Sequence, residues 1–383
     1  MGNAASALER ARTLRALISA EAAEAERMGR LTDKTTQAML EANLFSQLVP
    51  VGEGGLGASR ADFFECVEEV SHADGSAGWS LSACSMANSL IHLALPLDGR
   101  DEVLGAGPVA IWASLIPCAR SQPAEGGFLL SGAFAWGSGS SFSDWVIVAE
   151  PLPERSGEQW SRAFVVPKGD VTIDPDSWNP MGLKATASVN YRIDDAFVPA
   201  SRSFEYPFIQ GERPGWVSTY GAALLNQVGL TAFASGVAAR AMAELAARAP
   251  QTSRSGAPGS QAEDEIIQNG IGVHSGKLAA ARSHFLTIVG QQDSILAAGG
   301  AVSTQLTLAS NLATQTLIHA ARDATVFAWD SLSSIVVLDT DPLQRCLRDI
   351  YTGLKHVTFT PAALSRAGKE KLGIGYSAPR FPA

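Results

Sequence analysis

Positive charge is what this sequence has least of. Lysine and arginine number 29 against 38 acidic residues, a net charge of -9, and they are not clustered. That argues against a nucleic-acid partner, because neutralising phosphates takes a basic surface. Long apolar runs are also missing. The longest, from Gly229 to Ala239 and onward, is interrupted by Arg240 and Glu244, short of the roughly 18 uncharged residues that a membrane span requires. The first residues carry Glu9, Arg10, Arg12 and Arg15 before any apolar stretch forms, so no signal peptide is read and a cytoplasmic location is expected. Cysteine is sparse: Cys66, Cys84, Cys118 and Cys346 form no C-x-x-C pair, which predicts reduced, buried thiols. None of the six histidines forms H-E-x-x-H or stands at ligand spacing from a cysteine, so no metal is expected. No internal repeat is present.

What remains is a chain of 383 residues, 46% hydrophobic and 17% charged, suited to a large packed core. Apolar positions Leu8, Ala11, Leu14, Ile18 and Ala22 recur every three or four residues, predicting an amphipathic helix to about Met28. Asp33 caps a second helix, Ser59 a third, and a small-residue helix from Ser76 to His92 reads as buried. The character changes after Pro108, where short alternating runs are separated by Gly, Pro, Ser and Asp clusters, as in an antiparallel sheet structure. Long helices return at 217–248, 263–296 and 302–338, and Asp341-Pro342 opens a last one expected to run to about Phe359. Helices near 30 residues suggest a bundle whose faces also serve a subunit interface. The fold class is therefore α+β, with an N-terminal helical domain over 1–107, an antiparallel β-domain over 108–212 and a C-terminal four-helix bundle over 213–383.

Chemistry concentrates in Phe128 to Val148, FLLSGAFAWGSGSSFSDWVIV. Two strand-like runs flank a Gly137-Ser-Gly-Ser-Ser corner. Two-residue periodicity puts Trp136 and Ser138 on one face, where a flat ring could stack on the indole and meet a hydroxyl. A tight hairpin with a buried Trp explains the same residues. Gly52-Glu-Gly54-Gly-Leu-Gly57 fits G-x-G-x-x-G literally, but helical sequence precedes it and no βαβ unit surrounds it, so a glycine loop between helices is the better reading.

The order helical, β, helical, with its motifs, resembles the acyl-CoA dehydrogenase fold superfamily over nearly the whole length. Pro50 to Gly57 is similar to that superfamily's Pro-x-x-x-Gly-Gly-x-Gly turn, and Leu129 to Gly139 to its flavin-binding strand and corner. Met181 to Ser188 with Ile193 to Pro199 resembles the second β-domain signature, and Arg348-Asp349 the late Arg-Asp pair. The dehydrogenases' late Tyr-Glu stretch and Arg-x-x-Phe-Gly diphosphate grip are missing. Arg348-Asp-Ile-Tyr-Thr-Gly-Leu-Lys-His356, followed by Phe359-Thr-Pro-Ala-Ala, instead resembles the flavin-dependent monooxygenase branch of two-component hydroxylases.

The resemblance implies the oxygenase component of a two-component system. It would take FMNH2 or FADH2 from a separate flavin reductase, react with O2 through a flavin 4a-hydroperoxide, and hydroxylate a small aromatic substrate of the phenol or indole type, as a homotetramer. It implies His356 as catalytic base, placed two turns from Arg348 along one helix; Ser138 as the hydroxyl at the flavin edge; and Trp136, Gly139 and Arg348 as further flavin contacts. Asn88, His92 and Trp79 become candidates for the substrate cavity. An imidazole with an ordinary pKa near 6.5 suits the base role; a capping histidine at a helix end is the plain alternative. Arg282, Arg322 and Lys355 are candidate anion contacts, while His274, His284 and His319 read as structural. Two rival activities stay open: an acyl-CoA dehydrogenase with a relocated base, Glu263 or Glu265, and a nitrogen- or sulfur-oxygenating monooxygenase.

Overall fold

The computed structural model describes residues 5–105, 109–114, 116, 118–152, 160–207, 216–253 and 259–374. The expected domain boundaries at 107/108 and 212/213 lie outside the described residues. Five helices come first: α1 (Ala7–Met28), α2 (Asp33–Glu41), α3 (Arg60–Ala73), α4 (Gly75–Ala94) and α5 (Leu97–Leu104). Ser6 and Ser59 form reciprocal capping boxes with Glu9 and Asp62, satisfying amide groups at the starts of α1 and α3. α4 is buried along most of its length, as its small-residue composition predicts, and α5 had no clear sequence signal. The loop at Gly52–Gly57 contains a short 3-10 turn between helices, consistent with its reading as a connection.

Among the described residues eight strands follow: β1 (Ile111–Ser114), β2 (Arg120–Ala124), β3 (Gly127–Gly137), β4 (Trp145–Leu152), β5 (Trp160–Pro167), β6 (Thr172–Asp174), β7 (Val189–Pro199) and β8 (Ser203–Pro207). They form two four-stranded sheets, ordered β1-β4-β5-β8 and β2-β3-β7-β6. Every pairing is antiparallel except β1 with β4, which run parallel. The sandwich core between them is apolar, with Trp112, Leu130, Phe134, Val146, Phe164, Tyr191 and Ile193 buried.

Three long helices and two short ones follow among the described residues: α6 (Trp216–Arg248), α7 (Glu265–Ala297), α8 (Thr304–Ser331), α9 (Pro342–Gly353) and α10 (Ala362–Lys371). α6 is central, sharing one core with α8 and α9 and another with α3 and α4. Among the described residues no helix is long and apolar enough to cross a membrane, and none of their His, Cys, Asp and Glu side chains group as metal ligands.

Candidate active site

The Trp136–Ser138 corner differs from a hairpin. β3 and β4 belong to different sheets, so the glycine-serine stretch carries the chain from one sheet to the other. The expected common face for Trp136 and Ser138 also fails. Leu130 and Phe134 point into the sandwich, and unbroken alternation would bury Trp136 with them. A register shift between Phe134 and Gly137, with Trp136 at φ +62°, breaks the alternation. Trp136 is left 64% exposed while Ser138 is buried at 8%. Gly139 then turns at φ +88°, where a Cβ would stand 2.7 Å from Cys84 Sγ, and its N–H donates to the Thr186 carbonyl at 3.0 Å.

Trp136 borders a cavity of about 560 Å3, whose other walls include Phe134, Ala135, Ser114, Tyr191 and Arg192. That volume lies in the range of small-ligand pockets, and the lining is mostly apolar with a few polar groups. Cys118, expected to be buried, is exposed and lines the same cavity.

On its other side the corner meets two helical segments. Trp79 Nε1 donates to Ser138 Oγ at 3.2 Å. The Trp79 ring stands edge-on to His356, centroids 5.7 Å apart, and to Phe233 at 5.1 Å. Three candidates from separate parts of the chain are thus contiguous: Trp79, Ser138 and His356.

His356 is not on the helix of Arg348, as had been expected. α9 ends at Gly353, and tightened bonds from Lys355 and His356 N–H to the Thr352 and Gly353 carbonyls close its last turn. Glycine is required there, since a Cβ at 353 would lie 2.4 Å from the Phe233 ring and 3.2 Å from Trp79. His356 itself is extended and caps the 3-10 turn Val357–Phe359, with its Nδ1 accepting the Thr358 N–H at 3.2 Å. In the neutral ring the proton therefore sits on Nε2. Burial lowers its pKa from the usual 6.5 to about 4.

The remaining candidates lie elsewhere. Arg348 spends all three guanidinium nitrogens on the protein: Met181 carbonyl at 2.8 Å, Glu26 at 2.5 Å, and Gln344. Asn88 stands roughly 13 Å further along α4 than Trp79, and His92 roughly 20 Å. The Asn88 amide donates to the Val109 carbonyl at 2.7 Å, while its Oδ1 is buried without a partner among the described residues. His92 pairs with Glu53 at 3.2 Å, and its pKa is lowered, burial outweighing the raising effect of Glu53. Arg282 is paired with Glu68 and Glu65, and Arg322 with Asp323. Glu263 lies in a short turn against Ser260 and Glu265 opens α7; neither contacts Trp79, Ser138 or His356.

Sequence reasoning missed Thr186 and Ser188. Thr186 Oγ1 and Ser188 Oγ are 2.7 Å apart, and Ser188 Oγ is 2.7 Å from Ser138 Oγ. The alternation of hydroxyl residues in Thr186-Ala-Ser188, just before β7, was the available signal.

Comparison with known proteins agrees with this architecture. The acyl-CoA dehydrogenase C-terminal domain family matches residues 228–361. Indole-3-acetate monooxygenase from Pseudomonas putida is 29% identical, the match covering 91% of this chain and 90% of that protein. The flavin-dependent monooxygenase oxygenase subunit HsaA of Rhodococcus jostii is 27% identical, covering 89% and 91%. The chain has the acyl-CoA dehydrogenase fold, and these relatives, matched over most of its length, are flavin-dependent monooxygenases. Among solved structures, XiaF from Streptomyces, in complex with FADH2 and glycerol, superposes on this chain with a TM-score of 0.87 at 21% identity, covering 98% of this chain and 97% of that one. At that identity the likeness speaks for the fold.

Proposed function

We propose that this chain is the oxygenase component of a two-component system, receiving FMNH2 or FADH2 from a separate flavin reductase and using O2 to hydroxylate a small aromatic substrate of the phenol or indole type. The observation that carries the reading is the contiguity of Trp79, Ser138 and His356 on one side of a corner whose other side, at Trp136, borders the cavity. A flat ring fits the cavity side of the corner, where a large exposed indole stands beside apolar walls. Reduced flavin, when bound, supplies the reaction with O2 and the transfer of one oxygen atom. Assembly as a cytoplasmic homotetramer goes with this reading. Support comes from α7, which leaves Ile266 76% and Val273 44% exposed on a long helix.

Each residue has a role its geometry supports. Trp136 stacks and Gly139 shapes the corner. Ser138 offers its oxygen at the ring edge. Trp79 and Phe233 keep water from the space between Ser138 and His356. His356 acts as a neutral hydrogen-bond donor through Nε2 rather than as a base, because Nδ1 is occupied and the ring stays uncharged well below pH 7. Asn88, with its free carbonyl oxygen, receives the hydroxyl or N–H of the substrate, and His92 stands at the outer end of the same helix. Arg348 fastens the framework rather than the flavin.

Anaerobic titration with reduced FMN and FAD, then admission of O2 with phenols or indoles and a reductase, tests the reading. Hydroxylated product is expected. Bleaching of bound oxidised flavin by an acyl-CoA without oxygen would instead identify a dehydrogenase, and oxygenated amines or sulfides would redirect the substrate class.

A further inference from the structure

Ser138 is one end of a chain of hydrogen bonds whose direction can be worked out by counting protons. Thr186 Oγ1 lies 2.8 Å from the Leu183 carbonyl oxygen. A carbonyl has no proton to give, so the single hydroxyl proton of Thr186 is committed to that contact. Thr186 Oγ1 must then accept across its 2.7 Å contact with Ser188, which takes the Ser188 proton. Ser188 in turn accepts from Ser138 across 2.7 Å. Ser138 Oγ also receives the indole N–H of Trp79 at 3.2 Å. With its own proton directed at Ser188, the Ser138 hydroxyl has only a lone pair left for a ligand.

The far end of the chain is anchored. Leu183 N–H donates to Asp349 Oδ1 at 2.6 Å, and both Asp349 and Thr186 are buried. The Gly139 N–H and the Ser140 hydroxyl add bonds to the Thr186 and Ala187 carbonyls, at 3.0 and 2.8 Å, which hold the 186–188 segment against the corner.

Flavin changes its hydrogen-bonding character at N5 with redox state: reduced flavin carries N–H there, and oxidised flavin has only a lone pair. We propose that Thr186 and Ser188 are positioning residues that hold Ser138 as an acceptor toward the ligand, so that the site favours flavin with hydrogen on N5 over flavin without it. This rests on the reading that flavin binds at the Trp136–Ser138 corner. Two lone pairs meeting at Ser138 and N5 would repel, whereas an N–H meeting that lone pair bonds. The preference is thus set by residues that need not touch the flavin.

The test is the ratio of dissociation constants for oxidised and dithionite-reduced FMN and FAD, measured anaerobically on the full chain by ultrafiltration. Wild type is expected to favour the reduced form about tenfold or more, the effect of one well-placed hydrogen bond. Ser188→Ala and Thr186→Val each release the Ser138 proton and should lower the ratio about tenfold, chiefly by tightening oxidised flavin. Thr186→Ser keeps the chain and should keep the ratio, which separates proton direction from damage to the fold. If folded Ser188→Ala and Thr186→Val bind flavin with the wild-type ratio, or if Ser138→Ala retains it, the inference is overturned while the proposed function stands. If wild type binds neither redox form, both fall together.

Discussion

Trp136 and Ser138 are separated by one glycine, and the structure treats them in opposite ways. The indole is turned out beside an open cavity, whereas the hydroxyl is turned in and tied to Trp79 and Ser188. A bulge at the end of β3 makes the difference, since without it the indole would join Phe134 in the sandwich core. The exposed half of the corner is therefore available to a ligand without cost to the core. The buried half is fixed by partners on α4 and before β7. Binding and chemistry should separate along that line.

The sharpest break in the comparison is expected at His356, which faces the buried half. His356→Ala should lower product formation about 100-fold, within the range for losing one oriented donor, while reduced-flavin affinity changes less than about threefold. Rapid-quench product analysis beside anaerobic titration checks this; equal losses in both would remove the distinction between the two halves. Gly353→Ala tests the wall behind it. The added methyl meets Phe233 and Trp79, and a loss of about 1–3 kcal/mol in chemical denaturation is expected. Trp136→Ala addresses the exposed half, with flavin binding about tenfold weaker and Tm nearly unchanged, because the indole contributes little to the core. An unfolded Trp136→Ala variant would show that the exposed half is structural after all.

Two pH effects are smaller. His356 has its pKa lowered in the folded state, so it favours folding above about pH 6.5 and that contribution is lost as pH falls toward 4. No limb near pH 6.5 in the rate profile should depend on it; a limb there abolished by His356→Asn would contradict the neutral-donor role. Asp349 has the opposite sign. Burial, and then the neighbouring Asp74 carboxylate, raise its pKa to about 7, so the folded chain holds a proton that the unfolded chain releases. Its contribution to stability therefore declines as pH rises from about 4 to 7. Wild type measured against Asp349→Asn should show that decline, at most on the order of 1 kcal/mol per pH unit. A pH-independent difference would mean that Asp349 titrates normally.

Much of the architecture was legible because periodicity reports which side of an element is buried. Most helices of both ends and the strand runs around Phe128 and Trp145 followed from it, though not α5 or α10. Partner choice did not. Alternation along β3 and β4 says nothing about which sheet each joins, and the corner between them read as a hairpin. β2 contains Pro123, and β6 has only three residues, so neither carries a pattern to recognise. The end of α9 was invisible for another reason: Gly353 is placed by the approach of Phe233, a residue 120 positions earlier. Within the candidate site, Trp136, Ser138, Trp79 and His356 were readable as residue types in a pattern. Thr186 and Ser188 were not, since a hydroxyl pair becomes a directed chain only once its carbonyl neighbour is fixed in space.

The bond from Leu183 to Asp349 spans 166 residues. Contacts so distant along a chain are slow to form, because a large loop must be closed before they contribute. The anchor of the proton order at Ser138 is therefore expected late in folding, when α9 docks against the β-domain. Pulsed hydrogen exchange at the Leu183 amide should show protection in the slowest phase; protection together with the β7 amides would place the docking early.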